Sequence, residues 1–175
     1  PNDPAQRKGG ALRNRAVTDV LEPGSTMKPF TIAAALESGV VDSNTKIDTA
    51  PGRLRIGRST ISEYQGHNYG EVDMAKLIQK SSNVGSAKVA LMMEPKDFWR
   101  VLDLIGLGEE TGSTFPGESV GVLRDYARWR KIEQATLSYG YGMSMTPLQL
   151  ARAYSALAED GVIRPVTFLY QPEGV

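Results

Sequence analysis

In the segment Ser25-Thr26-Met27-Lys28, a serine hydroxyl and a lysine amine stand three residues apart. A serine hydroxyl is a poor nucleophile unless a neighbouring group takes its proton. On a helix, a spacing of three places two side chains on one face, so the Lys28 amine can reach the Ser25 oxygen. A helix that begins here also directs free backbone N–H groups towards an oxyanion forming beside Ser25. The segment therefore predicts acyl transfer by an activated serine.

The spacing of this pair is common in proteins and decides nothing alone. A chain with 13 serines and 8 lysines contains about 0.6 such pairs by chance. Ser43 and Lys46 form a second pair, but their polar, turn-prone surroundings do not favour the helix that would align them. The alternative for Ser25 is a serine that only caps a helix. Further residues are needed to choose between catalysis and capping.

A second polar pattern follows in Ser81-Ser82-Asn83. The Ser81 hydroxyl can relay a proton, and the Asn83 amide offers both a donor and an acceptor to a peptide. Serine and asparagine are also favoured helix caps, so capping is the alternative here as well. Together the two patterns give four candidate catalytic residues: Ser25, Lys28, Ser81 and Asn83.

The elements that must position these residues are mainly helical. Pro29 has no backbone N–H and fits only the first turn of a helix. A helix over residues 28–36 therefore begins beside Ser25, and Gly39 supplies its stop. Ser25 is thus expected at the leading end of this helix.

Capping residues and apolar periodicity predict the remaining elements. Helices are expected over residues 74–80 after an Asp73 cap, from about residues 81–83, from Pro95 to Gly106, and from Thr146-Pro147 to Gly161. Alternation at residues 54–56 indicates exposed hairpin strands, and residues 166–170 indicate a terminal strand. The expected fold class is α+β, mainly helical with a minor sheet.

The wording of several segments resembles class B penicillin-binding proteins. Residues 22–30, Glu-Pro-Gly-Ser-Thr-Met-Lys-Pro-Phe, are similar to the active-serine segment of that family, and residues 80–85, Lys-Ser-Ser-Asn-Val-Gly, to its second motif. Residues 115–118, 138–142 and 146–151 resemble further landmarks in the family's order. The likeness covers nearly the whole chain and is closest to the division-specific transpeptidases of Gram-negative bacteria.

The resemblance implies a serine D,D-transpeptidase that cross-links peptidoglycan stem peptides and is acylated by β-lactam antibiotics. Ser25 would attack the penultimate D-Ala carbonyl, with Lys28 as its general base. Ser81 would pass a proton to the leaving amine, and Asn83 would hold Lys28 and the substrate amide. The implied fold is the penicillin-binding protein/β-lactamase-like transpeptidase fold, and no cofactor or metal is expected.

The chain departs from the family at its third motif, a Lys-Thr-Gly or Lys-Ser-Gly on a strand beside the active serine. Lys8-Gly9-Gly10 precedes the serine, and Glu110-Thr111-Gly112 has the wrong charge. We therefore expect residues 1–175 to be a partial transpeptidase domain, truncated before that motif, lacking much of its sheet and impaired in activity. The parent would be anchored in the bacterial inner membrane with this part in the periplasm, among cell-division proteins.

Composition limits the competing functions. The 20 basic and 20 acidic residues give zero net charge, which argues against a nucleic-acid partner. Cysteine is absent, and the single His67, to which no role is assigned, excludes a site that needs two histidines. Arg124, Arg128, Arg130 and Lys131 beside Tyr126 and Trp129 are more typical of a solvated face than of a nucleic-acid patch.

Two other functions are known alternatives for a chain with a penicillin-binding fold. A class A β-lactamase needs a Glu-x-x-x-Asn arrangement downstream of its second motif, and no asparagine follows Asn83. A non-catalytic scaffold or interaction module stays open for a chain that lacks the third motif. Replacement of Ser25 separates the enzyme from the scaffold, because only an enzyme needs that hydroxyl to bind the antibiotic.

Overall fold

The computed structural model describes residues 3–6 and 8–169, apart from the side chains of residues 10 and 11. Its contacts divide the chain into two compact units, each assembled from separated segments. The first combines the residues up to Leu21 with Ile105–Val122 and the residues from Met145 onward. The second combines Glu22–Leu104 with Leu123–Ser144 and contains all four candidate catalytic residues.

The first unit is organised by two helices that pack together, α1 (Arg15–Thr18) and α7 (Pro147–Ala158). Thr146 caps α7 as predicted, since its hydroxyl accepts from the Gln149 backbone N–H and the Gln149 side chain accepts from the Thr146 N–H. The Gln149 amide also donates to the carbonyl of Val120, 2.8 Å away. This buried side chain therefore holds the segment around Val120 against the start of α7.

The second unit is built around two buried helices. Its helices are α2 (Lys28–Glu37), α3 (Met74–Lys80), α4 (Asn83–Met92), α5 (Pro95–Leu104) and α6 (Lys131–Leu137). The helix α2 packs on α4, while α5 packs on α2 and α6 packs on α4. Burial of the apolar side chains of α2 and α4 supplies the main stabilisation of this unit.

The local signals read from the sequence set the ends of these helices. The Asp73 carboxylate accepts from the Lys76 backbone N–H at 2.7 Å, and α3 begins at Met74 as predicted. The helix α2 ends at Glu37, and Gly39 adopts a positive φ of 72° just beyond it. Within the described residues, no helix is long and apolar enough to span a bilayer.

Four strands form two antiparallel pairs in the second unit: β1 (Lys46–Asp48) with β4 (Glu71–Asp73), and β2 (Arg53–Ile56) with β3 (Ser59–Ser62). The hairpin β2–β3 confirms the hairpin strands that the alternation at residues 54–56 predicts. Ile61 of β3 joins a buried cluster with Val84 and Ala87 of α4 and Ala135 of α6. The cluster fixes the end of β3 beside the beginning of α4.

The prediction of a terminal strand at residues 166–170 is wrong. Residues 166–169 form no strand, and Tyr170 lies outside the described residues. An apolar run forms a strand only when a partner supplies hydrogen bonds, which a local pattern does not reveal.

Gln134 ties α6 to the end of α4 and provides a test of this packing. Its buried amide donates to the carbonyls of Ala90 at 2.8 Å and Met93 at 2.9 Å. Gln134→Ala leaves buried carbonyls without this donor, so we expect the free energy of unfolding to fall by about 1–3 kcal/mol. Urea denaturation measures it, and Gln79→Ala on the exposed face of α3 should change it by less than about 0.5 kcal/mol. Equal losses in the two variants would contradict the described contact.

Candidate active site

Ser25 and Lys28 lie on one continuous turn of the chain. Ser25 belongs to the 3₁₀ turn Gly24–Met27, which runs directly into α2, and Lys28 is the first residue of α2. The Lys28 Nζ lies 3.0 Å from the Ser25 Oγ. Ser25 is exposed, whereas Lys28 is only 2% exposed. The hydroxyl is therefore open to a substrate, and the amine lies beneath it.

The other two candidate residues reach the same amine from the junction of α3 and α4. Ser81 links the helices in a left-handed conformation with φ 52° and ψ 44°, which is uncommon outside glycine. This conformation turns both its carbonyl oxygen, at 2.5 Å, and its Oγ, at 2.9 Å, towards Lys28 Nζ. Asn83 begins α4 and places its Oδ1 2.8 Å from the same nitrogen. All four predicted side chains thus meet at one point.

The four oxygens around Lys28 Nζ favour proton exchange. The Ser81 carbonyl and Asn83 Oδ1 can only accept hydrogen bonds, whereas the hydroxyls of Ser25 and Ser81 can donate or accept. A neutral amine has two N–H donors and one lone pair. Its donors match the two carbonyl oxygens, and its lone pair is left for a hydroxyl proton. The arrangement can therefore hold Lys28 as a base directed at Ser25.

The environment of Lys28 makes that neutral form accessible. Burial lowers the pKa of the Lys28 amine from 10.5 to about 8, because the charged form loses hydration. The negative charge of Glu63 raises the same pKa and only partly offsets the effect of burial. Near pH 8 the amine thus exchanges its proton readily, as a general base must.

Glu63 is a site residue that the sequence reasoning missed. Its buried carboxylate follows β3 and accepts from the Ser82 hydroxyl and from the Asn83 backbone N–H, the latter at 2.7 Å. An acidic residue directly after an exposed hairpin strand was the one available signal. Most such residues are solvated, so the signal does not distinguish Glu63 from its neighbours.

The segment 138–142 packs against the 3₁₀ turn Gly24–Met27, which carries Ser25. The Gly24 N–H donates to the Gly140 carbonyl at 3.1 Å, and the Gly142 N–H donates to Glu22 Oε1 at 2.9 Å. The two backbones approach so closely that a Cβ on Gly140 would lie 2.1 Å from the Gly24 oxygen. This contact explains why a glycine occurs at position 140.

The remaining sequence candidates have structural roles. Ser43 lies in a turn, and Lys46 lies in β1 with its amine 3.2 Å from the Glu71 carboxylate, so the second serine–lysine pair does not form. His67, to which the sequence assigned no role, is exposed and stacks on Tyr69 with a distance of 5.7 Å between the ring centroids.

The basic segment after residue 123 is partly neutralised. Arg124 and Arg130 both pair with Glu133, at 3.0 and 3.1 Å. The Trp129 ring packs edge-on against Phe98 at a centroid distance of 6.0 Å. These contacts favour a solvated, structural face over a nucleic-acid patch.

Residues 1–174 match the family described as the penicillin binding protein transpeptidase domain. The chain belongs to this family. It is 49% identical over 168 residues to the probable peptidoglycan D,D-transpeptidase PenA of Neisseria flavescens, covering 96% of this chain and 41% of that protein. It is 41% identical over 167 residues to the peptidoglycan D,D-transpeptidase FtsI of Escherichia coli strain K12, covering 95% of this chain and 28% of that protein.

A solved transpeptidase-domain structure is also similar to this chain. The apo TP domain of Burkholderia pseudomallei penicillin-binding protein 3 matches with a TM-score of 0.88 and 44% identity, over 94% of this chain and 49% of that one. The resemblance inferred from the motifs and the mainly helical α+β fold of this transpeptidase family are thereby confirmed.

Gly140 allows a test of how tightly the turn Gly24–Met27 is packed. Gly39 and Gly140 both have a positive φ, of 72° and 81°, but only at Gly140 would a Cβ meet backbone atoms. Gly39→Ala should cost about 1–2 kcal/mol of unfolding free energy from backbone strain alone. Gly140→Ala should cost a further 1–3 kcal/mol, roughly, from the clash with Gly24. Denaturation of both variants checks this, and equal losses would show that the close approach does not exist.

Proposed function

We propose that this chain is part of a serine D,D-transpeptidase that cross-links peptidoglycan stem peptides and is acylated by β-lactam antibiotics. The observation that carries the proposal is the contact of one buried, pKa-lowered amine with Ser25, Ser81 and Asn83. The names of two relatives, the probable peptidoglycan D,D-transpeptidase PenA and the peptidoglycan D,D-transpeptidase FtsI, support the substrate class. Ser25, Lys28, Ser81 and Asn83 are the proposed catalytic residues.

In the proposed acylation step, the Lys28 amine takes the Ser25 proton as the Ser25 Oγ attacks the penultimate D-Ala carbonyl carbon. A bond forms between Oγ and that carbon, and the bond from the carbon to the nitrogen of the terminal D-Ala breaks. The leaving nitrogen needs a proton. Lys28 can return one through the Ser81 hydroxyl, which lies 2.9 Å from Nζ. An amine from a neighbouring stem peptide then attacks the ester and releases Ser25.

Asn83 has two proposed tasks in this step. Its Oδ1 holds Lys28 in place, and the partly buried amide can meet the backbone of the bound peptide. Because Lys28 is held by carbonyl oxygens on two sides, its lone pair is directed rather than free to rotate. Such preorganisation removes reorganisation from the reacting step.

We further propose that residues 1–175 form only part of the transpeptidase domain, truncated before the Lys-Thr-Gly or Lys-Ser-Gly motif. The 41% and 28% of the PenA and FtsI relatives that the chain spans support this proposal. The parent is proposed to be anchored in the inner membrane, with this domain in the periplasm, where its partners are cell-division proteins. The inspection of the reading frame after Val175 for the third motif is the immediate check.

Labelling with a fluorescent penicillin tests the acyl-enzyme proposal. The product of the complete gene should be labelled stoichiometrically at Ser25. The 175-residue chain should be labelled poorly, because the strand of the third motif is expected from the family resemblance to supply one oxyanion donor, and loss of one such donor costs about 10²–10³ in rate. Ser25→Ala should abolish labelling, and Ser43→Ala, in an exposed turn, should leave it unchanged. Undiminished labelling of Ser25→Ala would overturn the proposal that Ser25 forms the acyl-enzyme. Stoichiometric labelling of the 175-residue chain would show that the chain is not impaired in acylation.

The pH dependence of acylation tests the role of Lys28. With a pKa of about 8, the fraction of Lys28 in the neutral form increases about tenfold from pH 6 to pH 7 and levels off above pH 8. The second-order rate constant for acylation should follow the same curve, with a midpoint near pH 8. Stopped-flow measurement with a chromogenic β-lactam from pH 6 to 9.5 gives this curve. A rate independent of pH across this range contradicts Lys28 as the base.

A further inference from the structure

Glu63 carries a carboxylate that the proposed reaction does not use. The residue is only 3% exposed and stands directly after β3. An ionised carboxylate is costly to bury unless several donors compensate it. Its donors come from the first turn of α4, the helix that begins with Asn83.

Glu63 accepts hydrogen bonds from the first turn of α4. A helix begins with backbone N–H groups that have no partner inside the helix. Glu63 accepts from the N–H of Asn83 at 2.7 Å and of Val84 at 3.3 Å. The next N–H, of Gly85, donates to the Ser82 Oγ at 2.8 Å, and the Ser82 hydroxyl donates its own proton to Glu63. One carboxylate thus anchors three consecutive residues.

The same stretch of chain also holds the Asn83 side chain. Asn83 Nδ2 donates to the Ser62 carbonyl at 3.2 Å, so two consecutive residues at the end of β3 fix both the backbone and the amide of Asn83. With Nδ2 turned to Ser62, the Oδ1 atom faces Lys28 Nζ at 2.8 Å. The orientation of Asn83 towards the amine is therefore set from the hairpin.

We propose that Glu63 is a positioning residue for the reaction, one that holds Asn83 against Lys28 through the first turn of α4 without touching the substrate. The proposal rests on the proposed function of the site. It adds a residue outside the two motifs and assigns a role to the β2–β3 hairpin, which delivers the carboxylate.

Charge gives Glu63 a second effect that a purely structural anchor lacks. Its negative charge raises the pKa of Lys28, against the lowering by burial. Other titratable side chains lie on the adjoining elements. The exposed ones include Glu37 on α2, Arg53 and Arg55 on β2, Tyr64 and His67 after β3, and Lys76 and Lys80 on α3, and the partly buried ones include Lys88 on α4 and Tyr139 beside the core cluster. Removal of the Glu63 charge should therefore lower the Lys28 pKa.

Three variants of the complete gene product separate these effects. Glu63→Gln removes the charge and places an NH₂ group against a backbone donor, so acylation should slow at least tenfold and the pH midpoint should move below that of the wild type. Glu63→Asp keeps the charge on a shorter side chain, so the midpoint should return to the wild-type value while the rate recovers only in part. Glu37→Gln makes the same chemical change at an exposed position on α2 and should alter neither.

A readout independent of activity accompanies the kinetics. The Lys28 Cε resonance of ¹³C-lysine-labelled protein, followed from pH 6 to 11, should titrate at lower pH in Glu63→Gln than in the wild type. An unchanged Lys28 midpoint in Glu63→Gln overturns the proposal, as does a wild-type acylation rate in that variant. If Glu63→Gln does not fold, Glu63→Asp decides, because a wild-type rate there also overturns it. A wild type that is not acylated refutes the proposed function instead, and the Lys28 titration still tests Glu63.

Discussion

The site depends on the burial of one amine. Lys28 loses nearly all contact with water, and four oxygens from Ser25, Ser81 and Asn83 replace its hydration. Because only two of those oxygens are obligate acceptors, the neutral amine is matched as well as the charged one. Burial therefore lowers the cost of losing a proton, and the geometry directs the lone pair at a hydroxyl. The serine and lysine at the same spacing at Ser43 and Lys46 are exposed, and that lysine pairs with Glu71 instead.

Three separate elements of the second unit bring the oxygens of Ser25, Ser81 and Asn83 to the buried Lys28 amine. The helix α2 carries Lys28 from its first residue, the junction of α3 and α4 supplies Ser81 and Asn83, and the end of β3 holds Asn83 through Glu63. The backbone is irregular where these elements meet, since Ser81 is left-handed and Gly140 lies against Gly24. Such conformations persist only where surrounding contacts impose them, and here they are found next to the proposed nucleophile and its base.

Local chemistry made much of this arrangement predictable. The spacing of Ser25 and Lys28, the cap at Asp73 and the Thr146-Pro147 start are signals contained within a few residues, and each element formed where expected. Glu63 was not predictable, because its partners lie 20 residues away and depend on the hairpin packing against α4. The failed strand at residues 166–170 has the same cause, since a strand needs a partner that a local pattern cannot supply.

The role of the buried amine is decided by the acylation rate of Lys28→Met in the complete gene product. Methionine preserves the length and apolar stem of the side chain at this buried position and removes the amine. If Lys28 is the general base, the rate constant should fall by about 10²–10⁴ at pH 8, the contribution typical of general acid–base catalysis. Lys76→Met, at an exposed position on α3, should react like the wild type. A folded Lys28→Met protein that is acylated at the wild-type rate would contradict the account.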